Sequence, residues 1–171
     1  MTILAVMRHA KSDWGQPGLD DFDRPLNARG RKAAEHVGRE LMHRRVRFDH
    51  VIASPAVRVR ETLEGVESGY GARFDVQFER GIYDASLETL FALVRAIPAN
   101  VHAPLLVGHN PGLHQLVLDL TSDDDQHYRK HVAGKFPTAA VALVDLPAVR
   151  WDETAAGSGT IVELILPREL D

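Results

Sequence analysis

Five consecutive apolar residues, Ile3-Leu4-Ala5-Val6-Met7, end abruptly at Arg8-His9, and the pattern recurs further along the chain. Pro104-Leu105-Leu106-Val107-Gly108 gives way to His109-Asn110-Pro111-Gly112, and Asp49-His50-Val51-Ile52-Ala53 gives way to Ser54-Pro55. An unbroken apolar strand has no polar face to turn to water, so it must be covered on both sides, as in a largely parallel sheet flanked by helices. The expected fold class is α/β with a mostly parallel central sheet.

The segments between these runs supply the helices. Asn27 is a candidate N-cap for a helix reaching about Met42, with Ala33, Val37 and Leu41 on one face and Arg31, Lys32, Arg39, Glu40, Arg44 and Arg45 as its solvated side, together with His36 and His43. Ser54-Pro55 reads as a serine N-cap with proline at the first helical position, and on that helix Arg58 and Thr62 share a face while Arg60 points away. Residues 74–78 alternate as a strand, and Ser86 caps a helix carrying Leu87, Leu90, Phe91 and Val94. His109-Asn110-Pro111-Gly112 repeats the device of a capping residue before proline, ahead of the stripe Leu113, Leu116, Val117 and Leu120. Residues 12–25 read as a loop held down by Trp14 and Phe22, and residues 139–146 and 160–166 as two closing strands joined through Gly157-Ser158-Gly159. His127 and His131 have the spacing of a metal pair on a helix, but no carboxylate stands at a telling distance, which favours a solvated pair.

Bulk properties narrow the function classes. At 171 residues the chain is expected to form a single domain, 1–171. Twenty Lys and Arg against 24 Asp and Glu give a formal charge of -4, which argues against a nucleic-acid binder and confines any anion site to a local cluster. Without cysteine there is no disulfide or thiolate metal site, consistent with a reducing cytoplasm. The N-terminal apolar run is shorter than a signal-peptide core of roughly 7–15 residues, and no stretch approaches the ~20 apolar residues of a span, so a cytoplasmic protein without a membrane partner is expected.

In an open α/β sheet the carboxyl ends of the strands and the adjoining helix starts form the ligand crevice, where free N–H groups favour anions. Arg8-His9, Ser54 with Arg58, and His109-Asn110 all lie just after expected strands and therefore converge there. Neutral imidazole is a good nucleophile near pH 7, and guanidinium grips phosphate oxygens bidentately. Read singly, Arg58 would be a surface ion-pair residue and His109 a satisfied core histidine. Their shared topology points to phosphoryl chemistry.

The chain resembles the histidine phosphatase (phosphoglycerate mutase-like) superfamily, and within it the SixA-type phosphohistidine phosphatases. The resemblance rests on Met7-Arg8-His9-Ala10-Lys11-Ser12, Arg24-Pro25-Leu26 with Arg29-Gly30, Ser54-Pro55 with Arg58 and Thr62, Gly108-His109-Asn110-Pro111-Gly112, and Lys135-Phe136-Pro137-Thr138. It implies a three-layer α/β/α fold and a covalent phosphohistidine on His9, with Arg8, Arg58 and His109 holding the phosphoryl oxygens and no cofactor or metal. Two guanidiniums and a charged imidazole would lower the His9 pKa and stabilise the transition state. Ser12 and Asn110 are expected as neutral donors to the substrate. Ala10 replaces a glycine common in the superfamily, and Gly15 stands where the mutase branch has a phosphate-contacting asparagine. The proton donor is left open among Glu79, Asp84, Asp13 and water.

Little chain remains for the insertion that covers small substrates in larger relatives, so the expected site is open and suits a phosphate borne on another protein. A phosphohistidine-bearing protein is the expected partner. A small-molecule phosphomonoesterase using the same residues is the alternative, and a non-catalytic phosphoprotein-binding module a further one. The second would have no need of a nucleophile.

Overall fold

The computed structural model describes residues 2–147 and 150–169. Its centre is a six-stranded sheet built from β1 (Thr2–Arg8), β2 (His50–Ala53), β3 (Val76–Phe78), β4 (Pro104–Gly108), β5 (Val141–Leu146) and β6 (Thr160–Ile165), in the order β3-β2-β4-β1-β5-β6. Strands β1 to β4 are parallel to one another, whereas β5 pairs antiparallel with both β1 and β6. The apolar run behaves as two-sided burial requires. Leu4 and Val6 of β1 enter one core while Ala5 and Met7 enter the other.

Helices α1 (Ala28–His43) and α2 (Val57–Tyr70) close the Ala5 and Met7 side, through Ala34, Val37 and Leu41 from α1 and Val59, Leu63 and Val66 from α2. Helices α3 (Leu87–Arg95), α4 (Gly112–Leu120) and α5 (Tyr128–Gly134) close the other, where Leu90, Val94, Leu113, Leu116, Val117, Leu120 and Val132 are buried. The result is the three-layer α/β/α arrangement. Asn27 caps α1 by accepting from Gly30 N at 2.8 Å, and Ser86 caps α3 by accepting from Thr89 N at 3.1 Å.

Several elements differ from expectation. Helix α2 begins at Val57, after an extended Ser54-Pro55-Ala56, and α4 begins at Gly112 with Pro111 rather than Asn110 at its cap position. Both polar side chains are recruited elsewhere, as described below. Strand β3 is only three residues long, because Phe74 packs edge-on against Phe48 and Tyr70 instead of extending the ladder. Helix α5 starts after His127, which has a left-handed backbone, so His127 and His131 do not form a helical pair. No helix among the described residues is long and apolar enough to cross a membrane.

The segment after β1 is tied to α1. Asn27 N donates to Lys11 O at 3.0 Å, and Ser12 bridges to Leu26, so residues 13–25 form a loop whose ends are fastened together. A Cβ at position 30 would lie 2.1 Å from the Lys11 carbonyl oxygen, so only glycine allows this approach.

Candidate active site

Neighbouring strands β1 and β4 run in register, with Arg8 opposite Gly108, and His9 N extends the ladder by donating to Gly108 O at 3.0 Å. His9 and His109 therefore leave the sheet side by side, their ring centroids 5.3 Å apart. Both are buried, at 7% and 8% exposure, an unusual environment for two imidazoles unless it is functional.

His9 Nδ1 lies 2.7 Å from the Ala10 carbonyl oxygen. A carbonyl only accepts, so Nδ1 carries the proton and Nε2 the lone pair. Ala10 is itself fixed, since its N–H donates to Thr62 Oγ1 at 2.9 Å while that hydroxyl donates to Arg58 O at 2.6 Å. Thus Thr62, one turn beyond Arg58 on α2, couples the His9 loop to the helix bearing Arg58. Ala139, with φ of 63°, holds the same strand end from the other side by donating to Arg8 O and His9 O at 3.1 and 3.0 Å. A left-handed alanine is strained, as is common where a site over-determines the backbone.

His109 Nε2 lies 2.8 Å from Ser54 Oγ, which explains why Ser54 does not cap α2. Asn110 Nδ2 donates to Phe136 O at 2.8 Å, and Arg8 Nη1 donates to the same carbonyl at 3.3 Å. Arg58 donates from Nη1 to Asp21 O at 2.7 Å and from Nη2 to Asp21 Oδ2 at 3.1 Å. Arg24 reaches Asp21 Oδ1 at 2.9 Å and the Ser12 hydroxyl. Tyr83 Oη also donates to Asp21 Oδ2, at 2.6 Å. After these contacts Arg8 Nε, Arg24 Nε, Arg58 Nε, His109 Nδ1 and Asn110 Oδ1 remain buried without a hydrogen-bond partner. Such a concentration of unsatisfied polar atoms is costly in a folded protein and marks a place built for a ligand.

The electrostatics favour an anion. Burial is the main cause that lowers the His9 pKa from 6.5 to about 3, and His109, Arg58 and Arg8 add to it against the Ala10 hydrogen bond. His109 falls to about 4, by burial first and then by Arg58, Arg8 and Arg24, with Asp21 opposing. The expectation of a charged imidazole at position 109 is thus corrected, because burial beside arginines leaves it neutral at pH 7. Asp21 is held well below the usual carboxylate range by hydrogen bonds from Tyr83 and Arg24 and by Arg58.

The site opens to a pocket of about 410 Å³ whose wall includes Arg8, His9, Ser12, Arg24, Arg58, Asp84, His109 and Asn110. All six residues expected from the sequence are therefore brought together, with Ser12 beside Arg24 and Asn110 on the Phe136 carbonyl. Of the open proton donors, Asp84 lines the pocket. Glu79 Oε1 accepts from Gly81 N, and Asp13 Oδ1 from Gly15 N, and neither residue is on the wall. Trp14 does not pack the loop down as expected. It is 78% exposed at the pocket rim, with the Arg24 guanidinium 3.6 Å over its ring. Phe22 does pack, edge-on to Tyr83. Asp21 and Tyr83 were not foreseen, because only the closed loop brings them to Arg58. Among the described residues no group of three or more His, Cys, Asp or Glu is placed to hold a metal ion.

Known proteins resemble this chain in sequence and in fold. Residues 4–90 match the family model of the histidine phosphatase superfamily (branch 1). An uncharacterized protein of Mycobacterium leprae is 33% identical over 95% of this chain and 100% of its own length. A solved structure described as a candidate phosphohistidine phosphatase SixA from Agrobacterium tumefaciens superposes with a TM-score of 0.81 at 28% identity, covering 97% of this chain and 98% of that one. The protein histidine phosphatase SixA solved with tungstate shares the fold at a TM-score of 0.79 and 23% identity, covering 99% of each chain. Sequence match, fold and the Arg8-His9 crevice agree, and the chain belongs to the histidine phosphatase superfamily, with SixA phosphohistidine phosphatases among its structural neighbours.

Proposed function

We propose that this chain removes phosphoryl groups from phosphohistidine on a partner protein, with His9 as the nucleophile. The observation that carries the reading is the set of unpartnered buried nitrogens, Arg8 Nε, Arg24 Nε, Arg58 Nε and His109 Nδ1, in the same pocket as an imidazole whose tautomer leaves Nε2 unprotonated. His9 Nε2 attacks phosphorus, and a P–N bond forms as the bond to the substrate imidazole breaks. The leaving imidazole takes a proton from solvent water and departs neutral. Water then attacks the phosphohistidine on His9, releasing inorganic phosphate and restoring Nε2.

Arg8 and Arg58 supply fixed positive charge for the equatorial oxygens, the main catalytic contribution expected in a buried phosphoryl transfer. His109, neutral at pH 7, donates from Nδ1 once Nε2 accepts from Ser54, and the negative phosphoryl group raises its affinity for a proton. Ser12 accepts from Arg24 and keeps its own hydroxyl proton for the substrate. Asn110 keeps a second amide proton beyond the one on Phe136. Because imidazole leaves more readily than an alkoxide, no dedicated acid is required. The chain is read as one catalytic domain acting in the cytoplasm without a metal.

Asp84 on the pocket wall favours a second reading, a small-molecule phosphomonoesterase in which this carboxyl protonates the leaving alkoxide. The deciding experiment compares turnover of a phosphohistidine-bearing protein and an aryl phosphate, with wild type and His9→Ala, in the presence of a chelator. Preference for the phosphohistidine protein, lost with His9 and indifferent to the chelator, is expected. Hydrolysis of aryl or metabolite phosphates alone would transfer the assignment to the second reading.

A further inference from the structure

Beside the catalytic pocket lies a second cavity of about 370 Å³, lined by Lys11, Arg29, Lys32, His36, Lys135 and Arg168. The two concavities share a wall made by Lys11, Lys135, Pro137 and Thr138. Among the described residues no acidic side chain lines the second cavity, in a chain whose formal charge is -4. Arg29, Lys32 and His36 follow one face of α1 at spacings of three and four residues.

What sets this cluster apart is that six basic side chains from separate segments line one concavity beside the catalytic pocket. Near the far end of α1 two cations are paired, Arg39 with Glu35 at 2.5 Å and the C-cap Arg44 with Glu40 at 2.5 Å. Among the described residues, none of Lys11, Arg29, Lys32, Lys135 and Arg168 has a carboxylate partner. Like charges gathered in one concavity repel one another, so the arrangement is stabilised when an anion lies among them.

The cavity is also built into the catalytic frame. Lys11 follows His9 by two residues, and its backbone is clamped to α1 by Asn27 and by the contact that Gly30 permits. Lys135 directly precedes Phe136, whose carbonyl holds Arg8 and Asn110.

We infer that this basic cavity binds carboxylate side chains flanking the phosphorylated residue of a protein substrate. The inference rests on the phosphoprotein reading above and extends it to the substrate's sequence. One phosphoryl group is already matched by the arginines and His109 of the catalytic pocket, so the further cations call for further negative charge on the same substrate. They are spread over four segments, the β1 exit, α1, the connection after α5 and residues 167–169, which suits several carboxylates along a polypeptide better than one compact anion.

The test uses matched peptides carrying phosphohistidine or phosphotyrosine, each flanked by Glu or by Gln, with the intact chain and with Arg29→Gln/Lys32→Gln. Neither substituted residue lines the catalytic pocket. Glu flanks are expected to raise kcat/KM about tenfold, the double variant to remove that advantage, and aryl phosphate turnover to stay unchanged. Equal turnover of Glu- and Gln-flanked peptides overturns the inference, and so does a double variant that keeps the Glu advantage. A Glu advantage seen with phosphotyrosine but with no phosphohistidine turnover would sustain the cavity's role and defeat the phosphohistidine reading. A small bisphosphate preferred over every peptide, with the same sensitivity to the double variant, would overturn the assignment to a protein segment.

Discussion

Four helices have a residue suited to capping at or just before their start, and they divide by location. At α1 and α3, Asn27 and Ser86 accept hydrogen bonds from their own helices. At α2 and α4, which follow β2 and β4 into the crevice, Ser54 is held by His109 and Asn110 by the Phe136 carbonyl. The same residue types at similar turns thus serve the helix in one place and the reaction site in the other. What separates them is whether a stronger partner, here a buried imidazole or a carbonyl, stands within reach.

Removing the group around which the diverted pair is arranged sets the scale. His9→Ala is expected to lower turnover at least about 1,000-fold, as loss of a covalent nucleophile does elsewhere, read in a steady-state assay. Helix content by circular dichroism should stay unchanged.

Acid stability comes next. Folded His9 and His109 titrate near 3 and 4, whereas unfolded histidine titrates near 6.5, so between these values the unfolded chain binds more protons. Stability from these residues is complete above about pH 6.5 and falls as the pH drops, by about 1.4 kcal/mol per pH unit for each proton taken up. Denaturant titrations from pH 7 to 4 should show this slope, and His9→Gln should flatten it. An unaltered slope would mean that His9 is not buried and neutral.

Ser54→Ala and Asn110→Ala should reduce kcat/KM about tenfold, the size expected for losing one positioning hydrogen bond. Asn27→Ala and Ser86→Ala should instead cost about 1 kcal/mol of stability and change kcat/KM less than twofold. Ser54→Ala behaving like Ser86→Ala, with lost stability and full activity, would erase the distinction between the two kinds of turn.

This contrast also explains what could be read from the chain in advance. Asn27 and Ser86 were legible as caps because the partner lies three residues away. Helix α2 was placed two residues early because the partner of Ser54 lies 55 positions along the chain. The buried strands were legible because continuous apolar runs admit few arrangements, and Arg8, His9, Arg58 and His109 because strand ends meet in such sheets. Asp21 and Tyr83 were not, since they reach Arg58 only through the closure of residues 12–26. Trp14 was misjudged because a large apolar ring ordinarily signals burial, and here Arg24 covers one face at the surface.

The place of β1 has a temporal side. The strand that leads to His9 precedes all its partners in the chain, which are residues 105–108 and 141–146. Pairing across 100 and more positions is slow and comes late in folding. A growing chain therefore carries His9 long before it carries the pocket around it, which is complete only once residues 135–146 have arrived. Activity recovered after denaturant dilution should accordingly report the last sheet contacts to form.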